Sequence, residues 1–168
     1  GSSDFQGNGL ELAAGDALGQ GTDQARTVDG NVISPGYLGT MGIGLRRGRD
    51  FTGRDRQGAP AVAIVSETMA PALWSTTDAV GRVLPLDRAG AEVVGVVADT
   101  KYRSVSEPYP PLVYVPFAQA QVTRFVIHAR VRGGGETLAA MDAAARGVDP
   151  RVMIDGGVPI SRRLDPVR

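Results

Sequence analysis

Short apolar runs, separated by polar stretches that contain glycine and proline, make up most of this chain. Runs of about four to eight residues are typical of buried strands, whereas apolar side chains at helical spacing are typical of helices. The runs at 61–66 and 92–98 are almost purely apolar, and the run at 124–132 alternates between apolar and polar residues. We predict strands there and over four further stretches: 26–33 with a turn at 29–31, 80–86 as the hairpin partner of 92–98, 112–115 and 151–154.

Helical spacing and end signals predict three short helices. The first follows Ser34, whose hydroxyl can cap free amides, and ends at Gly42, which suits the left-handed conformation of a helix end. The second covers 67–74, and the third covers 136–146 and stops at the glycine that follows. Residues 46–58 are expected to form a loop. Strands mixed with short helices predict an α+β fold.

Residues 1–24 differ from the rest of the chain. They contain acidic residues, no basic residue and many glycines. Such a segment has little surface to bury and much backbone entropy to lose on folding. We expect a flexible glycine-rich arm with one short strand around 10–13.

Composition excludes several classes of function. The 18 basic and 18 acidic residues give a formal net charge of zero, so no net field attracts nucleic acid, and none is expected as a partner. The absence of cysteine removes disulfides, thiolate nucleophiles and iron–sulfur ligation. The longest strongly apolar stretch, 93–98, is far shorter than the roughly 20 residues of a membrane helix.

Cofactor motifs fail on inspection. A phosphate-binding loop needs Gly-Lys followed by Ser or Thr, but Lys101 lies between Thr100 and Tyr102. Three spaced glycines occur at the end of the first predicted helix, which is the wrong place for a dinucleotide loop. His128 is the single histidine, and we predict no metal site and no cofactor.

Enzymatic alternatives remain open but weak. Ser66, His128 and Asp99 would supply the groups of a serine hydrolase, although residues from distant segments carry no geometric information. Carboxylates for acid–base chemistry would be Glu67, Asp78 or Asp99. Structural roles account better for these three carboxylates. A negative charge such as that of Glu67 is stabilising near a helix N-terminus, and aspartate is common in turns. We therefore expect no catalytic residue.

Two groups of residues suit contact with a partner. Aromatic residues interleaved with prolines form the first group, and its alternative role is a minor core under a loop. Arginines 46, 47 and 49 form the second, an arginine cluster for which ion pairs to Asp50 or Asp55 are expected in preference to binding of an anionic headgroup. The candidate interaction surface consists of Tyr102, Tyr109, Tyr114, Phe117, Arg46 and Arg47.

The order of several motifs resembles the MacB-like periplasmic core domain of ABC-transporter permeases of the MacB/FtsX type, in particular permeases with duplicated modules. The resemblance covers about 27–164. Its motifs are Ile33-Ser34-Pro35-Gly36-Tyr37-Leu38, Met41-Gly42-Ile43, Arg47-Gly48-Arg49-Asp50-Phe51, Ala63-Ile64-Val65-Ser66-Glu67 with Trp74, Val80-Gly81-Arg82, Val93-Val94-Gly95-Val96-Val97-Ala98-Asp99 and Tyr114-Val115-Pro116.

The resemblance implies a βαβ porter-like subdomain built from 25–58 and 122–165, with a smaller α/β subdomain inserted at 59–121. It also implies a non-catalytic domain on the periplasmic side of the cell membrane, which transmits ATP-driven motion to substrates or partner proteins. The implied partners are the protein's own transmembrane helices, a cytoplasmic ATPase subunit and a periplasmic adaptor protein.

The chain departs from the family pattern at two places. Pro71-Ala72 and Ser75-Thr76-Thr77 depart from the family pattern, so the sequence leaves an interaction at those positions in doubt.

The second functional hypothesis is a periplasmic small-molecule-binding or sensory module, with a pocket lined by the aromatic residues between 102 and 117. The third is a hydrolase that uses carboxylates.

Overall fold

The structure is a computed structural model that describes residues 9–12, 26–86, 90–99, 111–120, 126–130 and 137–148. The chain divides into two compact units, with the boundary between His128 and Ala129. All described strands belong to the first unit, and one described helix belongs to the second.

Seven strands and three helices lie within the described residues. The strands are β1 (Gly9–Leu12), β2 (Arg26–Ile33), β3 (Leu45–Gly48), β4 (Val62–Ser66), β5 (Val83–Leu84), β6 (Ala91–Val97) and β7 (Leu112–Pro116). The helices are α1 (Tyr37–Met41), α2 (Met69–Trp74) and α3 (Thr137–Val148). None of the helices in these ranges has both the length and the apolar character to cross a membrane.

The seven strands form one mixed sheet in the order β1-β2-β7-β4-β6-β3, and β5 also pairs with β6. The pairs β2–β7 and β4–β6 are parallel, and the other pairs are antiparallel. The mixed sheet with short helices confirms the predicted α+β class. Because β4 runs antiparallel to β7, β2 and β7 end at one end of the sheet, and β4 and β6 end at the other.

Both faces of the sheet are covered. On one face, α2 packs its buried residues against Ala63 and Val65 of β4. On the other, Leu38 of α1 and Phe51 pack with Ile64. Successive side chains of a strand point to opposite faces, so a strand buried on both faces must be apolar throughout. This explains why the sequence at 61–66 is a continuous apolar run, and it confirms the strand predicted there.

An extra residue in β6 changes which face its side chains occupy. Ala63 pairs with Val93, but the next residue of β4 pairs with Gly95, so Val94 is a bulge. A bulge restarts the alternation of side chains and increases the local twist. As a result Val93 and Val96 both join the α2 face, although they are three positions apart in the strand.

The backbone of β3 lies so close to this bulge that only glycine fits at the contact. Gly48 has φ +73°, and a Cβ there would collide with the carbonyl oxygen of Val94. A Cβ on Gly95 would lie 2.5 Å from the carbonyl oxygen of Arg49. The Arg49 N–H donates a hydrogen bond of 2.9 Å to the same Val94 oxygen. Two glycines facing each other therefore allow β3 to contact β6 at the bulge.

A partly buried ion pair fixes the loop that follows β3. Two nitrogens of the Arg49 guanidinium, Nη1 and Nη2, contact the two oxygens of Asp55 at 2.8 and 2.9 Å. The Asp55 side chain is 7% exposed, and its Oδ2 also accepts the Thr52 N–H at 2.7 Å. The hydrogen bond from Arg49 lowers the pKa of the Asp55 carboxyl below its ordinary value, against the opposing effect of burial. This pair confirms one of the two partners predicted for the arginine cluster.

Asp50 and Phe51 complete this turn. One oxygen of Asp50 accepts the Phe51 N–H at 2.7 Å, and the other accepts the Gly36 N–H at 3.4 Å. Phe51 is 3% exposed and belongs to the core beside α1. The motif Arg47-Gly48-Arg49-Asp50-Phe51 thus joins β3, the start of α1 and the core.

Several predictions of local structure are confirmed. Strands β1, β4, β6 and β7 lie where the apolar runs predicted them, and β5 pairs with β6 as a hairpin. Gly42 ends α1 with φ 73°, as its position predicted. Helix α2 buries Ala70 and Leu73 as expected.

Four local predictions are wrong. Residues 29–31 form no turn, because β2 pairs on both sides and remains continuous through Gly30. Residues 45–48 form a strand, which the polar sequence concealed. Ser34 does not cap α1, since Gly36 occupies the cap position without a side-chain hydrogen bond. Helix α3 continues through Gly147 to Val148.

The alternating run at 124–132 is the clearest failure. Residues 126–130 are described, and none of them is in a strand. Val126 and Ile127 are each 53% exposed, so alternation here does not separate a buried face from a solvated one. An alternating pattern predicts a strand only where a neighbouring strand supplies hydrogen bonds. Residues 124, 125, 131 and 132 lie outside the described residues, as does the strand predicted at 151–154.

The predicted division into subdomains stays a prediction. Strands from 25–58 and from 59–121 pair in the same sheet, through β2 with β7 and β3 with β6. Residues 122–165 lie partly outside the described residues, and so does most of the arm at 1–24.

The contact at Gly48 can be tested by adding one methyl group. We expect Gly48→Ala to lower the free energy of unfolding by at least about 2 kcal/mol, because it adds a clash to a left-handed backbone conformation. Gly39→Ala is the matched control, since a Cβ at this helical position meets nothing within 4 Å. The control should change stability by no more than about 1 kcal/mol in the stabilising direction. Urea unfolding followed by circular dichroism measures both variants, and equal stabilities would contradict the contact.

The Asp55 ion pair predicts a pH dependence. A carboxyl whose folded pKa is lowered stabilises the fold above its unfolded pKa of about 3.9, and this contribution is lost as pH falls through the folded pKa. We expect Asp55→Asn to cost about 1.5 to 3 kcal/mol at pH 7, and the difference from the unmodified chain to shrink below about pH 4.

Asp78→Asn is the control for this variant. The Asp78 side chain is 67% exposed and lies 4.0 Å from Arg47, so its loss should cost less than about 1 kcal/mol. Urea unfolding between pH 7 and pH 3 gives both differences. A cost for Asp55→Asn that does not vary with pH would contradict the assignment.

Candidate interaction surface

The structure places the six predicted interaction residues in different environments. Tyr102 and Tyr109 lie outside the described residues. Phe117 is 38% exposed, and both arginines of β3 are exposed. Among the four described candidates, Tyr114 is the buried one, at 1% exposure.

Tyr114 is therefore a core residue, and its prediction as a surface residue is wrong. It lies in β7 opposite Asn31 on one side and Ile64 on the other. Its ring belongs to the cluster that contains Leu38 and Phe51. A central strand buries whatever side chain points to a covered face, and the sequence does not reveal which strand is central. The loss of this ring also removes one wall of the small-molecule pocket that the aromatic residues suggested.

Phe117 and the arginines do not form one surface. Phe117 follows β7, and its N–H donates to the Ile33 carbonyl at 2.8 Å, at the end of the sheet where β2 and β7 finish. Arg46 and Arg47 lie on β3, at the edge of the sheet beyond β4 and β6. The described part of the candidate surface thus consists of two separate places.

The arginines of β3 share one groove, which we call the β3 groove. It is lined by Arg46, Arg47, Glu67, Thr77 and Val96. Arg46 contributes its Nε to an ion pair with Glu67 at 3.2 Å. Arg47 lies 4.0 Å from the Asp78 carboxylate. These partners were not predicted, because each is more than twenty residues away from its arginine along the chain.

The side chains proposed for enzymatic chemistry have structural partners. The Ser66 hydroxyl is buried and accepts the Leu112 N–H at 3.0 Å, which ties β4 to β7. Asp99 accepts the Thr68 N–H at 3.0 Å, beside the start of α2. His128 packs edge-on against the ring of Tyr37, with 5.6 Å between ring centroids.

The serine hydrolase arrangement is therefore not assembled. Ser66 ends β4 and Asp99 follows β6. The partner of His128, Tyr37, begins the helix that follows β2, and β2 ends at the opposite end of the sheet. Glu67 and Asp78 hold arginines instead of facing each other as an acid–base pair. Within the described ranges, no three acidic or histidine side chains meet in a way that would hold a metal ion.

Comparison with known proteins identifies a family that this chain matches. The family model described as MacB-like periplasmic core domain matches residues 7–148. No curated protein sequence matches the chain. The periplasmic region of MacB from Actinobacillus actinomycetemcomitans is similar in structure, with a TM-score of 0.56 and 15% identity over 83% of this chain and 62% of that one.

Two further solved structures are similar at lower scores. The extracellular domain of the noncanonic ABC-type transporter YknZ from Gram-positive bacteria has 23% identity and a TM-score of 0.45, over 65% of this chain and 50% of that one. A permease domain from Porphyromonas gingivalis has 13% identity and a TM-score of 0.49, over 76% of this chain and 62% of that one.

These comparisons agree with the resemblance seen in the ordered motifs. The match extends from the arm through α3, although the chain spans only 62% of the length of the MacB region. The motif that joins β3 to the core lies within the matched residues. The chain belongs to the MacB-like periplasmic core domain family.

Proposed function

We propose that this domain is a non-catalytic lever, which passes the ATP-driven motion of membrane helices to substrates or partner proteins outside the membrane. Its partners in this role are the transmembrane helices of its own permease, a cytoplasmic ATPase subunit and a periplasmic adaptor protein. The observation that carries the proposal is the family match over residues 7–148.

The packing of the first unit supports a mechanical role. A lever transmits a displacement only if its parts do not slide past one another, and close-packed interiors resist such sliding. The sheet is covered on both faces, and the Gly48–Val94 contact fixes β3 against β6. The Arg49–Asp55 pair then fixes the loop after β3 to the same body. We expect the unit to move as one piece.

Hydrogen bonds and ion pairs within the fold involve the side chains best suited to chemistry, and this supports a non-catalytic role. Ser66, Asp99 and Glu67, the residues best suited to chemistry, each hold another part of the fold. A nucleophile or a general base needs a free lone pair directed at a substrate. In this domain Ser66 holds β7 and Asp99 holds the start of α2, whereas Glu67 forms an exposed ion pair with Arg46.

Fluorescence energy transfer in the parent permease tests the lever. The domain contains no cysteine, so in a parent permease whose other cysteines are replaced a fluorophore can be attached at Arg54→Cys in an exposed loop, with acceptors on the lipid headgroups. We expect the transfer efficiency to change on addition of ATP and to remain unchanged in a variant that cannot hydrolyse ATP. This change reports movement of the domain relative to the membrane.

A second pair of labels separates movement from deformation. Cysteines at positions 54 and 77 are both exposed and lie in the first unit, so the distance between them should stay constant when ATP is added. Unchanged domain-to-membrane transfer during ATP turnover would exclude the lever. A changing 54–77 distance would replace the rigid body with a deforming one.

A further inference from the structure

A β-bulge directs two adjacent arginines into one groove. Leu45 pairs with Val97 and Arg47 pairs with Val96, so Arg46 is an extra residue in β3. Neighbouring side chains of a regular strand point to opposite faces, and a bulge changes this direction. Both arginines accordingly line the β3 groove.

Carboxylates of the domain itself already contact these arginines. Glu67 contacts Arg46 at 3.2 Å and Asp78 lies 4.0 Å from Arg47. The four side chains are between 45% and 67% exposed, so water competes for each contact. Exposed ion pairs of this kind contribute only about 0 to 1 kcal/mol, so another carboxylate can replace Glu67 or Asp78 at little cost.

We propose that Arg46 and Arg47 bind carboxylates of an extended acidic segment in a partner protein, which displace Glu67 and Asp78 from the β3 groove. This inference rests on the proposed function, in which the domain contacts a protein outside the membrane. The planar guanidinium group matches a carboxylate with two parallel hydrogen bonds. An extended segment fits because β3 ends the sheet, and no other described strand pairs with its second edge.

A protein carboxylate suits the groove better than a membrane surface does. Glu67 and Asp78 line or border the groove and would repel a densely anionic layer of headgroups. The chain has no net charge, so it has no overall attraction to such a layer. A short segment with two carboxylates adds only two negative charges beside the displaced Glu67 and Asp78, whereas a headgroup layer adds many, and screening by salt weakens the repulsion between a few exposed charges.

Arginines on an edge strand also have a protective role. Charged residues and bulges on an edge discourage pairing with the edge of another sheet. Protection alone predicts that loss of Arg46 and Arg47 increases self-association and leaves the binding of acidic peptides unchanged. The two roles therefore differ in a measurable way.

Fluorescence anisotropy of this chain with labelled peptides tests the proposal. The probe is a six-residue peptide of alternating glutamate and valine, and the control peptide carries glutamine in place of glutamate. We expect saturable binding of the probe at low salt, and an Arg46→Gln/Arg47→Gln variant should bind at least about fivefold more weakly. The matched control is Arg54→Gln/Arg56→Gln, which removes the same charge from an exposed loop and should bind within about twofold of the unmodified chain.

A variant of opposite sign keeps the test independent of folding defects. Glu67→Gln/Asp78→Asn removes the internal competitors, so the probe should bind at least about threefold more tightly than to Glu92→Gln/Asp142→Asn, which has the same net charge. Thermal unfolding followed by circular dichroism verifies that each variant is folded.

Several results would overturn the site. These are no saturable binding below about 1 mM, equal weakening by the two arginine double variants, equal binding of the glutamine peptide, or equal affinity of the two carboxylate double variants. Binding to phosphatidylglycerol vesicles that depends on Arg46 and Arg47, without binding of the peptide, would assign the groove to a headgroup. If the peptide fails to bind but the ATP-dependent movement is observed, the groove proposal is wrong and the lever proposal is kept. If the ATP-dependent movement is absent, the lever proposal is wrong whatever the result with the peptide.

Discussion

The close approach of β3 to the bulge in β6 is the contact on which the rest of the structure depends. Gly48 and Gly95 face each other with no room for a Cβ, and Arg49 donates its N–H to Val94. The same few residues carry the turn that buries Phe51 and the ion pair to Asp55. Because backbone contacts cannot adjust by changing a rotamer, this junction fixes the direction in which β3 leaves the core.

That junction links the core to the surface. It holds β3 at the edge of the sheet, where the second bulge directs Arg46 and Arg47 into the β3 groove. A partner bound there would contact a strand that is fixed to the doubly covered sheet. Movement of the sheet would then reach the partner without loss in a flexible connection, which is the physical requirement for a lever. The weak, exposed pairs to Glu67 and Asp78 leave the surface free to exchange partners.

Residues of the family motifs have structural roles in this fold. The glycine, arginine and phenylalanine at 48, 49 and 51 belong to one of the family motifs in the sequence. In the structure each of them serves the junction between β3 and the core. Ser66 and Asp99 are similar, since their polar atoms hold backbone amides of neighbouring elements. Of the described candidates for binding, the arginines of β3 and Phe117 are exposed, as the sequence suggested.

The sequence alone determined the elements whose signals are local. Strands β4 and β6 follow from apolar runs, and the end of α1 follows from a glycine that accepts a left-handed conformation. Tertiary structure decided what depends on neighbours distant along the chain. Pairing on both sides kept β2 continuous, a central position buried Tyr114, and pairing with β6 made a strand of polar β3. The alternating residues 126–130 form no strand, because strand pairing is a property of two segments and a pattern describes only one.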